Sequence, residues 1–101
     1  MTNEVRDNPA RHRFELEVDG VIAFSEYERK PGVVDFLHTE VPEALGGKGV
    51  GSRLAKGALD LVRARGEKVI AHCPFIAAYI RKRAEYQDLL AEPLPEPQTG
   101  A

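Results

Sequence analysis

Glycine recurs in the middle of the chain in a pattern that suits anion binding. The run Gly46-Gly47-Lys48-Gly49-Val50-Gly51, called here the glycine loop, carries four glycines in six residues. Because glycine accepts positive φ and has no Cβ, the chain can turn sharply and a ligand can meet the backbone N–H groups. A helix-like pattern follows, and the first N–H groups of a helix favour anions such as a diphosphate. The Lys48 side chain can add a positive charge there or point into water.

Two further side chains have types and positions suited to catalysis. His38 ends a strand-like run just before the glycine loop, and a neutral imidazole can serve as a general base. Cys73 precedes Pro74 at the expected start of a second helix, where a thiol becomes more nucleophilic. Each has a structural alternative, namely a strand histidine with a structural hydrogen bond and a small buried thiol. No metal site is predicted, because His38, His72 and Cys73 are too few and lack ligand spacing.

Spacing excludes two nucleotide-binding motifs at the glycine loop. A Walker A loop requires Ser or Thr after its Gly-Lys pair, and here Lys48 is followed by Gly49. The dinucleotide fingerprint G-x-G-x-x-G, started at Gly47, requires glycine where the chain has Ser52. That fingerprint also opens a parallel βαβ unit, whereas hairpin-like strands precede this loop.

The glycine loop resembles the acyl-CoA loop of the GNAT superfamily of N-acetyltransferases, [Arg/Gln]-x-x-Gly-x-Gly/Ala, through Gly49-Val50-Gly51. Further blocks, in the same order along the chain, resemble the short single-domain branch of that superfamily over roughly residues 13–90. These blocks are His38-Thr39-Glu40-Val41-Pro42, Gly47 through Leu54, Cys73-Pro74-Phe75 through Tyr79-Ile80, and Glu85-Tyr86. Gly46 departs from the pattern where Arg or Gln is usual, so we expect main-chain N–H groups to hold the diphosphate.

The resemblance implies an enzyme that transfers an acetyl group from acetyl-CoA to an amine. Val41, Gly46, Gly47, Lys48, Gly49, Val50, Gly51 and Ser52 would form the cofactor site. His38 or an ordered water would be the base, and Cys73 would lie near the CoA thiol, either as a transient acyl carrier or as a residue that shapes the site. Tyr79 falls where larger members carry a tyrosine that protonates the leaving thiolate, although its spacing with Ile76 and Ile80 favours core packing.

Hydrophobic patterning predicts an antiparallel β-meander before the glycine loop. Apolar and acidic residues alternate over residues 14–18, and Asp19-Gly20 then forms a hairpin turn into a second strand. Pro31-Gly32 closes that strand, and residues 33–39 form a third strand rich in β-branched and aromatic side chains.

A helix, a strand and a second helix are predicted after the glycine loop. Apolar residues recur at helical spacing until Gly66, which is placed to end the first helix. Residues 68–72 form a short strand, and Pro74 suits the first turn of the second helix. The predicted fold class is therefore α/β (α+β), a minimal GNAT-like fold with helices packed on the sheet.

The 101 residues, 43% hydrophobic and 30% charged, are typical of one soluble domain. We expect a flexible N-terminus over residues 1–12, an acyl-CoA-binding domain over residues 13–90 and a disordered tail over residues 91–101. The net charge of −2 gives no footprint for nucleic acid, and no apolar run approaches the ~20 residues of a membrane span. The single cysteine and the polar N-terminus predict a cytoplasmic protein. We expect a monomer or weak homodimer.

The acceptor and the activity itself stay open. The tight Asp19-Gly20 turn leaves no room for the helices with which larger GNAT enzymes build an acceptor site, so a protein or peptide amine is favoured over a small molecule. Acidic residues near the strand ends can attract a cationic amine or can simply be solvated; they are Glu26, Glu28, Glu40 and Glu43. The alternative to an enzyme is a non-catalytic module that binds CoA or acyl-CoA, or a protein partner.

Overall fold

A computed structural model describes residues 4–95, which form one five-stranded sheet with two helices. The strands are β1 (Arg6–Asn8), β2 (Arg13–Val18), β3 (Val21–Lys30), β4 (Val33–Glu40) and β5 (Lys68–Ala71); the helices are α1 (Val50–Ala64) and α2 (Pro74–Arg81). Short 3₁₀ helices cover Pro9–Arg11, Glu43–Leu45 and Ala84–Leu89. The strand order is β1-β2-β3-β4-β5, antiparallel except for the parallel pair β4–β5. The predicted mixed α/β class is confirmed.

The two predicted turns of the meander adopt the backbone that their residues favour. Asp19 and Gly20 both have positive φ, 52° and 78°, as a two-residue hairpin turn requires. Gly32 has a φ of 71° between β3 and β4. The strand β2 therefore runs straight into β3, with no helix between them.

The sheet has one covered face and one open face. Side chains of the covered face are buried under α1 and α2; they include Phe14, Leu16, Ala23, Tyr27, Val34, Phe36 and Val69. The open face, on the other side of each strand, carries the alternating residues, of which Glu17, Glu26 and Glu28 are exposed. Within residues 4–95 no helix packs on this open face. The fold is therefore a two-layer arrangement in which one face of the sheet stays accessible.

A β-bulge changes which side chains of β4 face the helices. Tyr27 of β3 pairs with Phe36, but the preceding Glu26 pairs with His38, so Leu37 is an extra residue in β4. Beyond Leu37 the alternation is therefore inverted. Thr39 returns to the covered face, whereas His38 lies on the open face.

The helix α1 is bounded by glycines at both ends. Gly49 is its N-cap with a φ of 69°, and Gly66, just beyond its C-cap, has a φ of 71°. At the C-terminal end, the N–H of Gly66 donates to Arg63 O and that of Glu67 to Val62 O, which is the Schellman arrangement. The predicted role of Gly66 in ending the helix is confirmed.

The prediction of a flexible segment over residues 1–12 is wrong for Arg6–Asn8, which form the edge strand β1. Asp7 is anchored by Tyr27 Oη and by the guanidinium groups of Arg29 and Arg65. This anchoring depends on residues that are distant in the sequence. Arg6–Asn8 themselves show no alternation of apolar and polar residues, so no local signal predicted a strand there. Residues 1–3 lie outside the described part of the chain.

The predicted disordered tail, residues 91–101, is wrong at its start. The Ala91 N–H donates to Val69 O at 2.8 Å, and Leu94 packs against the hydrophobic core. The Arg81 guanidinium donates to Pro95 O. Residues 96–101 lie outside the described part of the chain, and so does the rest of this prediction. Among the described residues, no helix is long and apolar enough to cross a membrane.

Candidate functional site

The strands β4 and β5 part from each other directly in front of the glycine loop. Their parallel ladder ends at the pair Phe36–Ala71, and the Cys73 N–H closes it by donating to Phe36 O at 2.8 Å. The β3–β4 ladder continues to Glu40, so Leu37–Glu40 have a strand neighbour on one side only among residues 4–95. We call this gap the β4–β5 opening. His72 and Cys73 lie at its narrow end.

The glycine loop leads from the wide end of the β4–β5 opening into α1. Gly47 and Gly49 have φ values of 76° and 69°, a backbone conformation that residues with a side chain rarely adopt. No side chain of residues 4–95 caps α1, and the N–H groups of Val50, Gly51 and Ser52 have no acceptor in that part of the chain. Three donors at the positive end of the helix therefore point towards open space.

Gly51 lets three segments of the site come close together. A Cβ at this position would lie 2.8 Å from Phe75 Cζ and 3.5 Å from Val41 Cγ2. The first turn of α1 thus touches both the start of α2 and the end of the β4 segment. Lys48 turns away from this contact, because its Nζ lies 3.3 Å from Asp19 Oδ2 at the β2–β3 turn.

A cavity of about 280 Å³ adjoins the first turn of α1. Its lining combines aromatic and cationic side chains and consists of Ser52, Phe75, Ala78, Tyr79, Lys82 and Arg83. Phe75 keeps 40% of its surface exposed although it is a large apolar residue. Of these lining residues, only Ser52 and Tyr79 were predicted as site residues. The adjacent cations Lys82 and Arg83, which follow α2, were the available signal for a charged lining.

Cys73 is buried at the narrow end of the opening, on the covered face of the sheet. It is 1% exposed, and its Sγ lies 3.3 Å from Thr39 Oγ1. Thr39 Oγ1 in turn lies 2.8 Å from Ser25 Oγ, so three polar side chains form a short chain across β3, β4 and the start of α2. The group fixes the position of the thiol.

Among the described residues no cluster of three or more His, Cys, Asp or Glu side chains suits a metal ion.

Comparisons with known proteins identify the family. The family model described as GCN5-related N-acetyl-transferase matches residues 13–89. The chain belongs to the GCN5-related N-acetyltransferase (GNAT) family. Protein NATD1 of Gallus gallus is 34% identical over 83 residues, which cover 78% of this chain and 74% of that protein. Protein NATD1 of Homo sapiens is 34% identical over 82 residues, 77% of this chain and 72% of that protein.

A solved structure confirms the GNAT fold. A GCN5-like protein of Staphylococcus aureus, determined by NMR in solution, has a TM-score of 0.68 and 29% sequence identity. The match covers 92% of this chain and 93% of that chain. The family predicted from the glycine loop and its flanking blocks is therefore confirmed. GNAT proteins generally use acetyl-CoA.

The candidate GNAT residue His38 lies on the open face, away from Cys73. It pairs with Glu26 across the sheet, and 57% of its side chain is exposed. Its Nε2 is 3.9 Å from Glu40 Oε1, which is beyond hydrogen-bond distance. The structure therefore does not bring His38 and Cys73 together as a pair, and no close partner orients the His38 ring among the residues described.

Tyr79 lies on the buried face of α2 with Ile76 and Ile80, as its spacing predicted, and also lines the cavity. It is 8% exposed, its ring centroid is 5.9 Å from that of Tyr86, and the Arg83 guanidinium lies 4.2 Å from its centroid. The role as an acid for the leaving thiolate stays a prediction.

Burial, followed by a hydrogen bond to Asp60, raises the pKa of neighbouring Tyr86 to about 12.

An acid–histidine pair that was not predicted from the sequence lies at the narrow end of the opening. Asp35 is 2% exposed, and His72 Nδ1 lies 2.8 Å and 2.9 Å from its two carboxylate oxygens. The available signal was Asp35 itself, because an acid inside the apolar run Val33–Leu37 has to find a polar partner when it is buried. His72 gave no signal of its own in the sequence.

Proposed function

We propose that the chain is an N-acetyltransferase that transfers the acetyl group of acetyl-CoA to an amine. The observation that carries the proposal is the β4–β5 opening, which begins at the glycine loop and ends at His72 and Cys73. Such an arrangement offers an anion site at one end and side chains suited to chemistry at the other. Membership of the GNAT family supports the same assignment.

The glycine loop suits the diphosphate of CoA. The N–H groups of Val50, Gly51 and Ser52, which have no acceptor within residues 4–95, and the positive end of the α1 dipole favour an anion there. Gly49 has open space where a side chain would otherwise lie, so a phosphate can approach the backbone. The proposed binding thus relies on main-chain donors, as the glycine at position 46 had suggested.

The remaining parts of CoA fit the surfaces on either side of the loop. The stretch Leu37–Glu40, which has no strand neighbour on its β5 side within residues 4–95, is about 13 Å long at ~3.3 Å per residue, so its backbone can pair with the extended amide-bearing arm of CoA. The aromatic cavity with Lys82 and Arg83 suits the adenine ring and the 3′-phosphate of its ribose. The thioester would then lie at the narrow end of the opening.

We propose direct transfer rather than an acetyl-Cys73 intermediate. In the direct route the amine nitrogen attacks the thioester carbon, the new C–N bond forms, and the C–S bond breaks to release CoA as a thiol after it gains a proton. Cys73 is 1% exposed and held by Thr39, which suits a residue that shapes the acetyl site. An acyl carrier would have to present its sulfur to two successive partners.

The open face of the sheet is the proposed approach for the acceptor. The direct β2–β3 turn and the lack of a helix over this face, within residues 4–95, leave it accessible to a large molecule. Its exposed carboxylates would attract a cationic acceptor; they are Glu17, Glu26, Glu28 and Glu40. A lysine side chain or N-terminal amine of a polypeptide meets both requirements.

We also propose that the protein works in the cytoplasm as a monomer or weak homodimer. A single cysteine suits a reducing compartment because it cannot form an internal disulfide.

Cofactor binding is tested by thermal unfolding with CoA and two matched glycine variants. A ligand at ~100 times its Kd adds about 2.7 kcal/mol to the free energy of unfolding, which gives a clear rise in Tm. Gly49→Ala and Gly66→Ala force alanine into nearly the same positive-φ backbone with no clash at either site. We expect both to lower Tm in the absence of ligand by a similar amount. Only Gly49→Ala, at the start of α1, should lose the response to CoA.

Catalysis is tested by CoA release from acetyl-CoA with a panel of amines that includes peptides with lysine and free N-termini. No thermal response of the parent protein to millimolar CoA contradicts the proposal. Binding without turnover of any amine contradicts the enzyme and favours an acyl-CoA-binding module. Mass spectrometry after incubation with acetyl-CoA alone separates the two routes, since only the covalent route predicts acetyl-Cys73.

A further inference from the structure

The pair formed by Asp35 and His72 has the geometry of an oriented base. Asp35 lies in β4 on the open face, with 3% of its side chain exposed, whereas 62% of the His72 side chain is exposed. Both carboxylate oxygens are within 2.9 Å of Nδ1. The acid is thus buried and fixed, while the far side of the imidazole ring reaches the surface.

The charge state of Asp35 decides which ring nitrogen is free. An ionised carboxylate only accepts hydrogen bonds, so Nδ1 must carry a proton and donate it. Lys30 is a cationic neighbour of the same carboxylate, because its Nζ lies 3.5 Å from Asp35 Oδ2. In neutral His72 the lone pair is therefore on Nε2, which is the nitrogen directed away from the carboxylate.

The pair lies where the proposed reaction would take place. His72 is the first residue after β5, and the ladder between β4 and β5 ends one residue earlier, at Phe36–Ala71. Its neighbour Cys73 lies on the covered face at the same narrow end of the β4–β5 opening. The two side chains therefore flank the proposed acetyl site from opposite faces of the sheet, with His72 on the face open to an acceptor.

We propose that His72, oriented by Asp35, is the general base that removes a proton from the acceptor amine. This inference rests on the acetyltransferase function proposed above. The ammonium proton passes to Nε2, and the neutral amine attacks the thioester carbon. The nitrogen of the tetrahedral adduct loses its second proton to solvent, the C–S bond breaks, and the thiolate takes a proton from the imidazolium, so the net reaction yields the amide, CoA and one proton. Asp35 is a positioning residue, because it acts through the ring of His72.

His38 is the competing base on the same face, and its geometry is poorer for this role. Within residues 4–95 no hydrogen-bond partner fixes its tautomer: Glu40 Oε1 is 3.9 Å from Nε2, and both side chains are more than half exposed. His72 has a carboxylate at 2.8 Å that is itself almost fully buried. A ring with one fixed tautomer is available to accept a proton in a larger fraction of encounters.

The decisive variant is His72→Asn, compared with His38→Asn. The amide N–H of asparagine can replace Nδ1–H as a donor to Asp35, so the structural contact is kept while the base is lost. With the amine that the parent protein acetylates fastest, we expect His72→Asn to lower kcat roughly 10²- to 10⁴-fold. The rise in Tm caused by CoA should be unchanged. His38→Asn, which tests the competing base, should lower kcat by a much smaller factor than His72→Asn does.

Asp35→Asn provides a second, spectroscopic test. The parent should show the Nδ1–H tautomer of His72 by ¹⁵N NMR of the imidazole ring. Asparagine at position 35 can donate to Nδ1 and so favour the Nε2–H tautomer. We expect this switch, together with a fall in kcat of at least roughly 10²-fold.

The outcomes separate this inference from the proposed function. A parent protein that acetylates amines and a His72→Asn variant of equal kcat would overturn the base and leave the acetyltransferase intact. An Nε2–H tautomer of His72 in the parent would also overturn it, even if the asparagine variants fail to fold. A parent that binds acetyl-CoA without turnover would overturn both.

Discussion

Replacing Gly57 with alanine puts a methyl group where the N-terminal segment crosses α1. A Cβ at Gly57 would lie 2.3 Å from Val5 Cγ2 and 2.6 Å from Val5 Cβ. Non-bonded carbon atoms prefer about 3.5–4.0 Å, so Val5 has to move by more than about 1 Å. The segment that moves carries β1, whose Asp7 is tied to Arg65 of α1 and to Tyr27 and Arg29 of β3.

Two effects of opposite sign set the magnitude. Alanine is more favourable than glycine in a helix interior by about 1 kcal/mol. Overpacking a filled site costs about 1–3 kcal/mol. We therefore expect Gly57→Ala to leave the free energy of unfolding unchanged or to lower it by up to about 2 kcal/mol. The usual gain from replacing a helical glycine should be absent.

The assay is a double-mutant cycle in urea, with amide hydrogen exchange of Arg6–Asn8 recorded alongside. In the Val5→Gly background the clash is gone, so Gly57→Ala should then stabilise the protein by about 1 kcal/mol. Hydrogen exchange should show faster exchange of β1 in Gly57→Ala alone. CoA affinity is the control and should not change, because Gly57 lies about two turns beyond the start of α1. The contact with Val5 is refuted if the Gly57→Ala single variant is about 1 kcal/mol more stable than the parent and β1 is still protected from hydrogen exchange.

Two further predictions concern the cavity and the C-terminal 3₁₀ helix. Combined Lys82→Gln and Arg83→Gln should weaken CoA binding roughly three- to tenfold but leave 3′-dephospho-CoA unaffected, by calorimetry, because each solvent-accessible cation–phosphate contact contributes up to about 1 kcal/mol. Arg11→Gln, at the opposite edge of the sheet, is the matched control, and equal weakening for both ligands contradicts the assignment. Burial raises the pKa of Tyr86 to about 12, so its neutral form stabilises the fold below pH 10 and that contribution, at most about 3 kcal/mol, is lost as the pH rises towards 12. Tyr86→Phe should flatten this alkaline loss in urea titrations, and an unchanged slope contradicts the assigned cause.

Local sequence signals were sufficient for most of the secondary structure. The turns at Asp19-Gly20 and Pro31-Gly32 and the end of α1 at Gly66 depend on the φ values that those residues favour. Such preferences can be read from a few consecutive residues. The start of α1 was predictable for the same reason. By contrast, β1 is held by the contact of Asp7 with Arg65 and by the packing of Val5 against Gly57. Both contacts join residues far apart in the sequence.

The candidate site could be predicted only in part, and the reason is the bulge at Leu37. A strand that alternates regularly from Phe36 would place His38 on the covered face with Cys73, where the two could act as a couple. One extra residue inverts the alternation, so Thr39 contacts Cys73 and His38 pairs with Glu26 on the open face. No local feature of residues 33–40 indicates that insertion. The same change of face separates a thiol that is suited to shaping the acetyl site from the face on which a base has to meet the amine. His72, which emerges on that face beside buried Asp35, satisfies this requirement through a contact 37 residues apart in sequence.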